Sequence, residues 1–192
     1  TYAIIAGVIV AGLASVLISG RQVGTPTPSA LIEAAYPLVT GQVQNFILYD
    51  APMPAPEIAF KDDSGRDLDL RDFRGQYVLL NFWATWCGPC KREMPSLDRL
   101  QAQMGGQNFH VLALSEDRTG LDDVTAFFGE FELADLDIYI DDTGASSRAF
   151  SVGGLPATVL LDPAGNMVAR MIGPAEWDSP EAIAFFQHFT AN

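Results

Sequence analysis

The sequence is poor in residues that bind metals or nucleic acids. Its 192 residues contain two cysteines, two histidines (His110 and His188), and 11 Lys and Arg against 24 Asp and Glu. A structural zinc site normally needs four ligands, and neither histidine stands at a ligand spacing, which disfavours zinc. A formal net charge of -13 disfavours nucleic acids and anionic lipid surfaces, which call for basic patches. We expect no metal, no cofactor and no nucleic-acid partner, but partner proteins with neutral or basic docking faces.

Near its beginning the chain lacks charged residues altogether. The run from Tyr2 to Ser19 is about as long as the shortest helix that spans a bilayer core. We therefore predict that residues 1–20 form a transmembrane anchor or an uncleaved signal. A cleaved secretory signal is the alternative, although Gly20–Val23 does not resemble a cleavage site. Residues 21–49 are interpreted as a tether with a possible short helix, followed by a stiff, proline-rich lead-in.

Both cysteines lie in one segment, NFWATWCGPCKREMP, from Asn81 to Pro95. The apolar run Tyr77–Trp83 predicts a buried strand, and Lys91–Gln103 has helical spacing, so the two thiols lie at the start of a helix. Unpaired N–H groups and the helix dipole stabilise an anion there. We expect Cys87 to be the more exposed cysteine and a nucleophilic thiolate, and Cys90 can close a short disulfide with it.

Two other roles for this cysteine pair remain open. A structural disulfide usually joins distant segments, because the entropic stabilisation grows with loop length, and a bridge across two residues stabilises little. Binding of Cu(I) through Cys87 and Cys90 is chemically feasible because soft thiolates suit that ion. The sequence offers no third ligand nearby for copper.

The longer segment NFWATWCGPCKREMPSL resembles the active site of the thioredoxin superfamily, specifically its membrane-anchored TlpA/ResA/CcmG-like branch. The resemblance covers about Asp50 to Asn192. It implies one α/β domain over residues 50–192 with a thioredoxin-like fold: a central mixed sheet flanked by helices, with an N-terminal β-hairpin, preceded by a single transmembrane helix.

Hydrophobic patterns and turn residues place the remaining elements. A hairpin is predicted around the turn Asp62–Gly65, and the last helix is predicted to begin at Ser179, an N-cap followed by proline. The other predicted segments are the strands Phe109–Ser115, Leu136–Ile140 and Met167–Ile172, and the helices Leu121–Phe131 and Ala145–Phe150.

The resemblance also implies roles for individual residues. Leu155-Pro156, which precedes a predicted strand, matches the family's cis-proline loop, which faces the cysteines and pairs with the substrate backbone. Trp86 is expected beside the cysteine pair, where it contributes to docking or covers apolar surface. Asn81 replaces the buried Asp that soluble thioredoxins use as a proton acceptor. Glu93, three residues after Cys90, is the candidate replacement, because ResA-like proteins have a functional Glu at this offset; otherwise it only favours the helix dipole.

The site residues and the family resemblance together predict a function. We expect a protein disulfide reductase at the bacterial inner membrane, with its catalytic domain facing the periplasm. By resemblance, its partners are a CcdA- or DsbD-like membrane electron donor and disulfide-bearing clients, such as apocytochrome c or copper-oxidase assembly proteins. A copper-site assembly factor and a general disulfide oxidase are the alternatives. The Gly-Pro pair between the cysteines is the one found in thioredoxins and favours reduction.

Overall fold

An eight-stranded mixed sheet forms the centre of the protein. The computed structural model describes residues 27–191. The sheet order is β1-β8-β7-β4-β5-β6-β2-β3, with parallel pairing of β4 with β5 and of β5 with β6, and antiparallel pairing elsewhere. The strands are β1 (Ile47–Pro54), β2 (Ala59–Asp62), β3 (Asp67–Asp69), β4 (Tyr77–Trp83), β5 (Phe109–Ser115), β6 (Tyr139–Ile140), β7 (Ala157–Leu161) and β8 (Asn166–Ile172).

Five α-helices accompany the sheet in the described part of the chain. They are α1 (Pro28–Ala35), α2 (Gly88–Met104), α3 (Leu121–Glu130), α4 (Ala145–Ala149) and α5 (Pro180–Thr190). Short 3-10 turns occur at Tyr36–Leu38, Gly41–Val43 and Leu70–Phe73. The Ser179 hydroxyl accepts a hydrogen bond from the Ala182 N–H and so caps α5, as predicted.

The side chains of the central strand β4 point alternately to the two faces of the sheet, and each face is covered by its own hydrophobic core. Leu79 and Trp83 of β4 face a cluster that includes the buried sides of α1, α2, α3 and α5. Val78, Leu80 and Phe82 face the opposite cluster, which the β2–β3 hairpin and Phe150 cover. Because successive side chains of a strand point to opposite faces, β4 is buried on both sides and is apolar except at Asn81.

The segment before residue 50 differs from the expected tether. Ile32 and Ala35 of α1, then Val43 and Phe46, are buried in the same core as α5. Phe46 stacks on Phe185 with ring centroids 5.0 Å apart. Helix α1 follows its N-cap, Thr27, and this segment is part of the folded domain because it covers the apolar face of α5.

The predicted domain start at residue 50 also falls inside a strand. Pro52 and Pro54 belong to β1, which pairs with β8, rather than to a free lead-in. Proline is tolerated here because β1 is an edge strand and one side needs no N–H donor. The β2–β3 hairpin exists as predicted, although β1 precedes it.

Most predicted elements around the cysteines agree with the structure. β4 and β5 have the predicted bounds, and α2 continues from the cysteine turn to Met104. The strand predicted over Leu136–Ile140 is shorter, since Tyr139 and Ile140 alone pair in the sheet. The predicted anchor, residues 1–20, lies outside the described residues. From residue 27 to residue 191, no helix combines the length and apolar character needed to cross a membrane.

Candidate functional site

The two cysteines lie where β4 gives way to α2. Cys87 is the N-cap of α2 and Cys90 lies in its first turn, and the two are joined by a disulfide bond. The Cys90 N–H points at Cys87 Sγ at 3.2 Å. Pro89 fits this first turn because its missing N–H would have no intrahelical acceptor. The positive end of the α2 dipole and a backbone donor therefore both face the Cys87 sulfur.

The two cysteines differ in their access to solvent. Cys87 is 6% exposed and Cys90 is fully buried, which confirms the expected order. Trp86, immediately before them, is 70% exposed. Its indole ring is therefore a large apolar surface that is open to solvent beside the disulfide.

A cleft of about 490 Å³ opens next to Cys87. The Leu155–Pro156 peptide bond is cis, as predicted, and leads into β7. Because β7 pairs with β4 through Ala157 and Phe82, the loop before Pro156 is brought to the cysteine turn. We call this opening the cysteine cleft; it is lined by Trp86, Cys87, Pro89, Glu116, Ser147 and residues 152–155.

Glu93 is buried one helical turn beyond Cys90. It is 2% exposed, and its carboxylate accepts hydrogen bonds from Asn81 Nδ2 at 2.9 Å, Trp177 Nε1 at 2.9 Å and the Ala175 N–H at 3.1 Å. Burial raises the pKa of Glu93 to about 7, even though these three donors favour its ionised form and lower the pKa. Its carboxyl group is thus able to gain or lose a proton near neutral pH.

Asn81 links this carboxyl group to the sheet. Its Nδ2 donates to Glu93 Oε1 and to Thr158 Oγ1, both at 2.9 Å, while its Oδ1 is buried and accepts no hydrogen bond from the described residues. Glu93 therefore contacts the position that the sequence singled out as a departure from soluble thioredoxins. The carboxyl group that Asn81 lacks is supplied from the neighbouring helix.

A buried aspartate fixes the turn that precedes the cysteines. Asp117 is 1% exposed and accepts hydrogen bonds from the Thr85 N–H at 2.8 Å and from the Thr85 hydroxyl at 2.5 Å. The Ser115 hydroxyl also donates to it, at 2.7 Å. Since Thr85 is two residues before Cys87, this network fixes the direction in which the chain enters α2.

The cations after Cys90 are not both free solvated groups. Lys91 Nζ lies 5.7 Å from the Phe127 ring centre and 5.9 Å from that of Phe131, within the range of cation–π attraction. Arg92 is exposed and donates to the Gly88 carbonyl at 3.3 Å. Among residues 27–191, no group of three or more His, Cys, Asp and Glu side chains is arranged to hold a metal ion.

Comparison with known proteins agrees with this geometry. The sequence profile of the AhpC/TSA family matches residues 52–170, more than half of the chain. The chain belongs to the AhpC/TSA family. This AhpC/TSA protein is 34% identical over 119 residues to the thiol-disulfide oxidoreductase ResA of Bacillus cereus, covering 62% of this chain and 68% of that one. It is 39% identical over 119 residues to ResA of Geobacillus thermodenitrificans, covering 62% and 67%.

Solved structures agree with these relatives. A thiol-disulfide oxidoreductase from Bacteroides fragilis superposes with a TM-score of 0.57 at 29% identity, covering 68% of this chain and 94% of that one. The thioredoxin domain of a thiol-disulfide oxidoreductase from Bacteroides vulgatus gives 0.62 at 25% identity, covering 72% and 96%. This AhpC/TSA protein is thus a thiol-disulfide oxidoreductase with a thioredoxin-like fold.

The predicted site residues of this AhpC/TSA protein occupy two layers. Trp86, Cys87 and Leu155 line the cysteine cleft, and Pro156 is buried where β7 begins. Cys90 and Glu93 lie beneath, in the protein interior. Glu93 is buried because α2 packs this side against Asn81 and Trp177.

Sequence reasoning missed three residues of this AhpC/TSA protein. They are Trp177, which donates to Glu93, Asp117, which holds the cysteine turn, and Glu116, which lines the cysteine cleft. A signal for Asp117 and Glu116 was available, since both directly follow β5, whose carboxyl end meets that of β4. Nothing in the sequence near Trp177 indicates its partner.

Proposed function

We propose that this protein reduces disulfides of client proteins outside the cytoplasm by dithiol–disulfide exchange. The observation that carries the proposal is the position of Cys87, whose sulfur caps α2 and borders a cleft. A thiolate at that position is stabilised by the helix N-terminus, which lowers the pKa of a cysteine and raises its reactivity.

Exchange begins from the reduced protein. The Cys87 thiolate attacks one sulfur of the client disulfide, forms a Cys87–client disulfide and expels the other client sulfur as a thiolate. Cys90 then loses its proton and attacks the Cys87 sulfur, which closes the intramolecular disulfide and expels the second client thiolate. Two electrons pass from the protein to the client, and the protein is left with Cys87 and Cys90 joined, as they are here.

Glu93 is proposed to accept the Cys90 proton in the second step. Residues three apart on a helix are neighbours on its surface, and both Cys90 and Glu93 are buried. A base is most effective when its pKa lies near the working pH, and that of Glu93 is raised to about 7. The amide of Asn81 cannot accept the proton, so its contribution is to hold the Glu93 carboxylate.

Trp86, Leu155 and Pro156 are proposed to hold the client segment that carries the disulfide. Trp86 supplies exposed apolar area at one end of the cysteine cleft. At the other end, the glycines before Leu155 are exposed and carry no side chain that would hinder an approaching backbone. The client chain is expected to lie between the two, with its sulfur against Cys87.

The cellular setting is also part of the proposal. We place the catalytic domain in the periplasm, tethered to the bacterial inner membrane through residues 1–20, and its clients among apocytochrome c or copper-oxidase assembly proteins. Dithiols tend to be oxidised outside the cytoplasm, so sustained reduction requires electrons from a membrane donor of the CcdA or DsbD type. Support comes from the apolar run at Tyr2–Ser19 and the ResA relatives.

Trapping tests both the exchange and the cysteine roles. In a Cys90→Ser variant the second step is blocked, so we expect a client to remain attached to Cys87 and to be released by dithiothreitol. Cys87→Ser is the matched control and should retain no adduct. Adducts on Cys87→Ser but none on Cys90→Ser would reverse the two roles.

The reduction potential of the Cys87–Cys90 pair separates a reductase from an oxidase. A value of about -270 mV is expected for a reductase, whereas a value of about -120 mV would show an oxidase.

A further inference from the structure

Glu116 lies at the same end of the sheet as the reactive cysteine. It directly follows β5, and its N–H donates to the Trp83 carbonyl at 2.9 Å, where β4 ends. Glu116 lines the cysteine cleft together with Cys87 and Trp86. The position follows from the parallel pairing of β4 with β5, which brings the ends of both strands to one edge.

The cysteine cleft is otherwise free of charged side chains. Apart from Glu116, the described residues that line it are apolar, glycine, serine or the cysteine itself. The nearby cation Arg148 is exposed and donates to the Thr143 carbonyl, rather than forming an ion pair with Glu116. As the one charged group that lines the cleft among the described residues, the Glu116 carboxylate attracts a cation that enters, although the charge of Arg148 offsets part of this attraction.

The carboxyl group of Glu116 is also incompletely satisfied. Its Oε1 atom is buried and accepts no hydrogen bond from the described residues, and the Ser147 hydroxyl beside it donates to the Gly144 carbonyl at 3.3 Å. Burial raises the pKa of Glu116, and the charge of Asp141 acts in the same direction, whereas Ser147 and the charge of Arg148 lower it. Such a group gains more from a cationic partner than an exposed, hydrated carboxylate does.

We infer that Glu116 is a specificity-determining residue that selects client segments with a lysine or arginine beside the disulfide. This inference rests on the proposed reductase function and adds a preference for one client chemistry. A Lys or Arg side chain next to the attacked cysteine reaches the Glu116 carboxylate while the client sulfur lies at Cys87. A glutamate at the same place in the client is repelled.

Three disulfide peptides that differ at one position test the preference. Each contains the same disulfide, and the residue beside the cysteine is Lys, Ala or Glu. The rate constant for oxidation of the reduced protein by each peptide is measured at low and high ionic strength. For the wild-type protein we expect the Lys peptide to react about tenfold faster than the Glu peptide, with a smaller ratio at high salt.

Variants separate Glu116 from the general negative charge of the protein. In Glu116→Gln the ratio of Lys to Glu peptide rates should fall close to one, and in Glu116→Lys it should invert. Glu130→Gln is the matched control: it removes an exposed carboxylate on α3, outside the cysteine cleft, and should keep the wild-type ratio. A ratio that persists in Glu116→Gln, or that falls equally in Glu130→Gln, would overturn the inference.

The same rate constants test the charge preference separately from the proposed disulfide reductase function. If the wild-type protein reduces all three peptides at equal rates, the charge preference is refuted and the reductase function stands. If it reduces none of them, including the Ala peptide, the proposed function fails and the preference fails with it. Circular dichroism of each variant and its thiol content after reduction confirm that the folded dithiol protein is being compared.

Discussion

Replacing Glu93 by glutamine should remove a large pH dependence from the stability of the oxidised protein. Glu93 has a pKa raised from 4.5 to about 7 because it is buried. In the oxidised protein Cys87 and Cys90 are joined and do not titrate, so the carboxyl group is isolated from thiol chemistry. The difference in unfolding free energy between the variant and the wild type then reports on this one proton.

Glutamine fits the site as a substitute for the protonated acid. Its Oε1 can accept from the Ala175 N–H and Trp177 Nε1, as Glu93 Oε2 does. Its Nε2 can donate to Asn81 Oδ1, which accepts no hydrogen bond from the described residues, once the Asn81 amide turns over. We therefore expect Glu93→Gln to fold and to keep the packing around Trp177.

The sign and size of the effect follow from proton linkage. Below about pH 4.5 the carboxyl group is protonated in both states. Between about pH 4.5 and pH 7 the unfolded chain releases the proton while the folded protein retains it, so wild-type stability falls as the pH rises. At about 1.36 kcal/mol per pKa unit, the loss between pH 5 and pH 8 is about 2.5 kcal/mol. The glutamine variant does not lose this stability.

Urea denaturation across this pH range provides the measurement. The variant should gain stability relative to the wild type steadily up to about pH 7, with little further change above it. Glu130→Gln controls for the loss of one negative charge, because Glu130 is exposed on α3. A difference between Glu93→Gln and the wild type that is constant from pH 5 to pH 8 would refute the assignment of a raised pKa to Glu93.

Three other substitutions test packing and positioning. Ile32→Ala should lower the free energy of unfolding by about 2–4 kcal/mol, whereas exposed Glu33→Ala should change it by less than about 0.5 kcal/mol; equal effects would show that α1 is only a tether. Asp117→Ala leaves buried donors unpaired, so it should lower the free energy of unfolding, measured with urea, by about 1–3 kcal/mol. It should also slow alkylation of the nucleophilic cysteine. An unchanged alkylation rate would contradict the positioning role of Asp117. Trp177→Phe removes a donor that stabilises ionised Glu93, so infrared titration of the carboxyl group should show a higher pKa, and a lower one would contradict the hydrogen bond.

The strand and the helix next to the cysteines could be predicted because the sequence patterns that indicate them are adjacent in the chain. An apolar run of strand length, a Cys-Gly-Pro-Cys turn and a helical repeat follow one another within residues 77–104, and β4 and α2 form there. The cis Leu155–Pro156 bond was also predicted, from a resemblance carried by a short segment. Patterns of this kind depend on residues that are neighbours in sequence, so the sequence alone is enough to recognise them.

Contacts between distant segments were not predictable in the same way. Four residues between positions 32 and 46 are buried in a core that includes the apolar face of α5, more than a hundred residues later: Ile32, Ala35, Val43 and Phe46. Proline-rich stretches flank this segment, Gly24–Ser29 before it and Pro52–Pro56 after it, so composition alone suggested a tether. Burial against a partner that is remote in sequence overrides such local signals.

The sequence by itself determined which sulfur heads a helix and which chemistry that position favours, because strand, turn and helix are local. Tertiary structure alone decided the burial of Glu93 and, through it, the pKa of its carboxyl group. Its burial and its donors Ala175 and Trp177 come together only when α2 packs against the segment before α5. A pKa near neutrality is a property of that enclosure, since the same glutamate on an exposed helix would keep its ordinary pKa.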